Sequence, residues 1–161
     1  MKLFRYVLII LISIMSAFAS MHQYSKAGFF PLEESGRHIY NFNVGWRFYK
    51  GSADSAECKN FDDSQWKIVN CPHGLELNST ECSGGANYQG EAWYRKKFTL
   101  PPEINDKVIR LHFEAVMGKC KIWLNGQLLK THYGGYLPFQ VDLTDHLNKN
   151  RENILALWVD N

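Results

Sequence analysis

Several absences narrow this 161-residue sequence before any motif is read. No segment keeps a helical period over three turns and no internal repeat occurs, which excludes helical bundles and solenoids. There is no long apolar run. Val7 to Met15 covers about half of the ~20 residues that a bilayer-spanning helix needs. Charge of one sign is also lacking. Of 18 Lys+Arg, Lys2 and Arg5 fall in Met1–Ala19, which holds no acid, leaving 16 basic against 16 acidic residues. With no basic cluster beyond Lys96-Lys97, nucleic acid is excluded as a partner. The only close Cys/His grouping, Cys71-Pro72-His73, lacks zinc-ligand spacing, so no metal is expected, nor any cofactor.

What is present begins with a targeting segment. Lys2 and Arg5, the apolar run and Ala17-Phe18-Ala19 give residues 1–19 the charged, apolar and small-residue parts of a signal peptide. The alternative is a membrane anchor, which the short run disfavours. The signal implies a periplasmic or secreted protein with no membrane association after cleavage. Residues 20–37 show no period and read as a linker, leaving residues 38–161 as one domain. Four cysteines in an exported chain allow three pairings. Cys120 alternates with Ile122 and Leu124 and points into a core, and Cys71 precedes a proline at a strand end. Cys58 and Cys82 lie in loop-like sequence and form the candidate disulfide.

Short stretches alternate with period two or are rich in β-branched and aromatic residues, each bounded by turn residues. Strands are predicted near Ile39–Phe42, Arg47–Tyr49, Lys67–Val69, Ala92–Thr99, Lys107–Glu114, Lys119–Leu124, Leu128–His132, Phe139–Asp142 and Asn153–Val159. Asn125-Gly126 suits a type I′ hairpin, where both central residues need positive φ. "DLTDHL" reads as one helical turn capped by Asp142 or Thr144. The fold predicted from these residues is an all-β antiparallel sandwich. "ILALWV" runs almost to Asn161, so its strand is expected to lack a partner and leave an apolar edge exposed.

The motifs "GWRFYKG", "FDDSQWKIVNCPH", "NYQGEAWYRKKFTLP", "LHFEAVMGKCKIWLNGQLL", "HYGGYLPFQVDLT" and "ENILALWVDN" occur in an order and spacing that resembles the N-terminal domain of glycoside hydrolase family 2. This family includes β-galactosidases, β-glucuronidases and β-mannosidases. The resemblance covers about residues 40–161. It implies a jelly-roll β-sandwich of galactose-binding-domain type, incomplete at its C-terminus, acting as a sugar-binding domain. It also implies that an immunoglobulin-like domain and a (β/α)₈ barrel carrying both catalytic glutamates are missing from this chain. The expectation is a truncated, non-catalytic carbohydrate-binding domain of an exported β-galactosidase-like enzyme, recognising a β-galactoside-type glycan and inactive by itself. A stand-alone carbohydrate-binding module and a non-functional gene fragment are the alternatives.

The resemblance also assigns residues. Asn87 in "NYQG" has the spacing of an asparagine that reaches from this domain to substrate hydroxyls, and an amide offers two donors and an acceptor to a diol. The alternative is an asparagine that merely tolerates a tight turn. Asp160 matches an acid after the last strand that serves the substrate or cation site, and Asn161 adjoins it. Tyr88 is a candidate for stacking on a sugar ring. Trp93 and Tyr94 alternate to opposite faces and are read as core. Neither acid pair, Glu33-Glu34 in the linker or Asp62-Asp63 in a turn, fits the carboxyl separation of a glycosidase. Arg95 and Lys96 are expected to pair with acids on a neighbouring strand. His73 is expected to orient its loop by bonding backbone.

Overall fold

The computed structural model describes residues 38–74, 88–104 and 106–161. The chain divides into two compact units, Met1–Phe42 and Asn43–Asn161. Of the first, only residues 38–42 are described. The strand expected at Ile39–Phe42 is not formed there, and a single bridged residue, Tyr40, stands in its place. Asn41 interrupts that stretch, and asparagine is depleted in strands because its amide competes for the backbone. The signal peptide and linker lie outside the described residues. Among those described, no helix is long and apolar enough to cross a membrane.

The second unit is an antiparallel β-sandwich of eight strands. They are β1 Trp46–Lys50, β2 Lys67–Val69, β3 Glu91–Phe98, β4 Arg110–Phe113, β5 Lys119–Leu124, β6 Gln127–Tyr133, β7 Phe139–Asp142 and β8 Asn153–Asp160. Six form one sheet in the order β2-β1-β3-β8-β5-β6, and β4 pairs with β7 in the other. The hairpin between β5 and β6 turns at Asn125 and Gly126, both at positive φ (54° and 85°), with Leu124 opposite Gln127. The helical turn at Thr144–His146 follows Asp142, whose carboxylate accepts the Thr144 N–H at 3.0 Å.

Two boundaries differ from the sequence reading. The strand expected over Lys107–Glu114 shortens to Arg110–Phe113. Lys107 donates its N–H to Ile104, closing the turn after Pro102–Ile104, so the backbone before Ile109 is already committed. The apolar edge expected at "ILALWV" is absent, because β8 pairs with β3 along one side and β5 along the other. Its apolar residues therefore lie in mid-sheet, and the edges fall on β2 and β6.

The large sheet is covered on both faces. On the inner face Cys120, Ile122, Leu124 and Leu155 are fully buried. Each large aliphatic side chain of this kind contributes roughly 1.5–3 kcal/mol. His132 of β6 stacks on Phe139 of β7, ring centroids 3.9 Å apart, which ties the two sheets. On the outer face Trp93 and Ala156 pack with Ala56 and Trp66, beneath the connection from β1 to β2. Double cover explains why seven of the eight residues of β8 are buried or nearly so rather than alternating.

Arg95 and Lys96 therefore sit in a central strand with exposures of 0% and 3%. Arg95 pairs with an acid in a connection rather than on a neighbouring strand. Arg95 Nε donates to Asp63 in the β1–β2 connection at 2.9 Å, and its Nη1 donates to the carbonyls of Ala56 and Cys58. Lys96 Nζ donates to the Val44 carbonyl. For Arg95 the covering connection supplies both the acid and the carbonyl acceptors.

Candidate functional site

Of the residues assigned to sugar contact, Tyr88 and Asp160 lie where β3, β8 and β5 end together. Asp160 closes β8 and is exposed. In register it faces Glu91 on β3 and Lys119 on β5. Directly opposed residues project to one side of a sheet with Cβ atoms about 4.5–5.5 Å apart. A carboxylate, a second carboxylate and an ammonium thus stand in a row across three strands. Such a row offers acceptors to hydroxyl groups, while the Lys119 ammonium lies over the Tyr133 and Trp158 rings.

Tyr88 enters this row from the loop before β3. Its hydroxyl donates to the Glu91 carbonyl at 2.8 Å, and Lys50 Nζ lies 5.1 Å from its ring centroid. Asn161 fixes the same loop: its Nδ2 donates to the Tyr88 carbonyl at 2.9 Å, and its backbone exchanges hydrogen bonds with Gly90. The Asn161 amide is thus a brace for Tyr88. Gly118 matters here because a Cβ would sit 2.1 Å from the Asp160 carbonyl oxygen, and its φ is +74°. Only glycine lets the turn before β5 pass so close to the end of β8.

Asn87 lies outside the described residues, as does Cys82. Cys58 is an exposed free thiol, Cys71 is half-buried and Cys120 fully buried. Burial pushes the Cys120 thiol up to about 11, which makes it inert. Among the described residues no group of three His, Cys, Asp or Glu could hold a metal ion.

Trp93 and Tyr94 are core, on opposite faces, at 6% and 7% exposure. Trp93 stacks on Trp123 at 5.4 Å. Tyr94 meets Trp46 and Phe48 on the other face. Among the described residues the side-chain partner of His73 is Tyr94 rather than backbone: its Nδ1 lies 3.0 Å from the Tyr94 hydroxyl. A buried phenol needs a partner, and the loop after β2 brings the imidazole over Phe48 to supply it. Burial, reinforced by Lys67, holds the His73 pKa below its ordinary value. Burial raises that of Tyr94. Asp62 accepts the Ser64 N–H at 2.9 Å, the ordinary work of a turn acid.

Glu91 and Lys119 were not singled out from sequence. Nothing in their local context marks them, since only the pairing register brings them beside Asp160.

Residues 53–160 match the family described as "Glycosyl hydrolases family 2, sugar binding domain". The chain is 36% identical over 138 residues to a β-glucuronidase of Formosa agariphila, covering 81% of this chain and 14% of that protein. It is 33% identical over 126 residues to a β-galactosidase of Thermoanaerobacter pseudethanolicus, covering 78% and 17%. Among solved structures, the Bacteroides uniformis β-glucuronidase superposes with a TM-score of 0.67 at 33% identity, over 74% of this chain and 14% of that one. The chain therefore spans less than a fifth of the length of these relatives.

Proposed function

The chain belongs to glycoside hydrolase family 2 as a sugar-binding domain, and we propose that it is the non-catalytic carbohydrate-binding part of an exported β-galactosidase-like enzyme. In this reading hydrolysis of the O-glycosyl bond is performed by glutamates of a separate barrel domain. The present domain positions a β-galactoside-type glycan through Asn87, Tyr88 and Asp160. The observation that carries the reading is the convergence of Tyr88 and Asp160 at one end of the large sheet. Asn87 directly precedes Tyr88 in the sequence, and Asn161 braces the Tyr88 main chain.

The chemistry suits a polyol. Asp160 and Glu91 supply charged acceptors, and hydrogen bonds to charged groups are worth more than neutral ones. The leader at residues 1–19 supports export. The test is whether the purified chain binds methyl β-galactoside while leaving an aryl β-galactoside unhydrolysed. Turnover that persists after removal of contaminating hydrolases would defeat the non-catalytic reading.

A further inference from the structure

A second feature lies on the outer face of the large sheet, beside the β1–β2 connection. It is a groove of about 330 Å³ whose floor is formed by the indoles of Trp93, Trp123 and Trp158. Its rim carries Asp54 and Glu57 from the connection, Glu91 from β3 and Lys121 from β5. The Trp93 side chain is buried and stacked on Trp123, and among the described residues its indole N–H has no acceptor.

We propose that this groove is a carbohydrate subsite for a neutral hexopyranoside, adjoining the strand-end row at Tyr88 and Asp160 and sharing Glu91 with it. The volume is within the range of small-molecule sites. The half-buried indoles of Trp123 and Trp158 present flat apolar surface to the C–H face of a pyranose. The lining carboxylates accept from its hydroxyls. Charge decides between sugar classes. Three lining carboxylates outnumber the two ammonium groups, Lys121 and Lys119, that lie near Trp158, so a uronate is repelled and a neutral glycoside favoured. An organic cation is the other ligand that acids and indoles attract. Here the chain's own cations already occupy that role, with Lys121 Nζ 5.2 Å and Lys119 Nζ 5.8 Å from the Trp158 centroid.

Glu91 is common to the groove and the strand end, and the test distinguishes them by which signals respond. The purified chain is titrated with methyl β-galactoside, methyl β-glucoside, methyl β-glucuronide and choline. Tryptophan emission and the indole N–H signals of Trp93, Trp123 and Trp158 report the groove, while the backbone signals of Gly90 and Asn161 report the other site. The neutral glycosides are expected to give a saturable indole response, at least about tenfold tighter than the glucuronide. Combined Asp54→Asn and Glu57→Gln is expected to weaken it about tenfold, whereas Lys149→Ala on the surface leaves it unchanged. Should the double variant fail to fold, the ratio of galactoside to glucuronide in the unaltered chain still decides. No saturable indole response up to about 100 mM, equal or tighter binding of the glucuronide, or preference for choline would overturn the proposal. The first outcome would mean that water alone fills the groove.

Discussion

Arg95 and Asp63 form a buried ion pair, Nε to Oδ2 at 2.9 Å, between the middle of the large sheet and the connection that covers it. The same guanidinium donates to the carbonyls of Ala56 and Cys58 and lies 5.3 Å from the Phe61 ring centroid. One side chain thus holds the cover over Trp93. It also shapes the groove, because Asp54 and Glu57 belong to the segment it anchors.

Replacing Asp63 with alanine leaves the Arg95 charge buried without its counterion. The expected loss is about 3–5 kcal/mol, larger than for an exposed pair. Urea unfolding of Asp63→Ala, Arg95→Met and the double variant measures it. The double variant should be more stable than the Asp63→Ala single, because it removes the stranded charge as well.

Asn153 is fully buried with its amide saturated. It donates to the carbonyls of Asn148 and Arg151 and accepts from Asn125 Nδ2 and the Asn148 N–H. Asn153→Asp keeps the shape but turns the donor end into an acceptor facing two carbonyls. A loss of at least about 3 kcal/mol is expected, read from the denaturant midpoint at neutral pH. An Asn153→Asp chain as stable as the original would contradict this account of the β5–β6 hairpin, which the network locks to β8.

Gly118→Ala forces a Cβ against the Asp160 carbonyl at a φ of +74°. Backbone must move, because the obstructing atoms are main chain. A loss of more than about 1 kcal/mol is expected, together with displaced amide signals at Asp160 and Asn161. An unperturbed strand end in the variant's NMR spectrum would show that the close approach is not needed there.

His73 gives a pH dependence with a definite sign. Its pKa lies below the ordinary 6.5 in the folded chain, through burial first and Lys67 second. On acidification the unfolded chain takes up this proton first. The contribution is therefore complete above 6.5 and is lost as pH falls through the folded value. His73→Gln, which keeps a polar partner near Tyr94, should flatten the stability profile between about pH 5 and 7. Equal slopes for the two proteins would remove His73 from the account.

Much of this architecture was legible from local pattern. Alternation placed β5 and the inward-facing Cys120, and Asn125-Gly126 fixed its hairpin, because both signals depend on neighbours in sequence. Double-sided cover was not legible. Arg95 and Lys96 look like surface residues in "WYRKKF", and only the connection folding back over β3 turns them into buried donors. The row of Glu91, Asp160 and Lys119 escaped for a related reason. These residues are tens of positions apart, and pairing register alone aligns them. Asp160 and Tyr88 came from family resemblance, and their meeting required the fold.

The most direct measurement is an amide NMR titration of the purified chain with methyl β-galactoside, run beside an assay with an aryl β-galactoside. The account predicts weak, saturable shifts that include Tyr88, Gly90, Asp160 and Asn161, loss of those shifts in Asp160→Ala, and no hydrolysis. Shifts absent from that strand end at saturating sugar, or turnover by the chain itself, would contradict it.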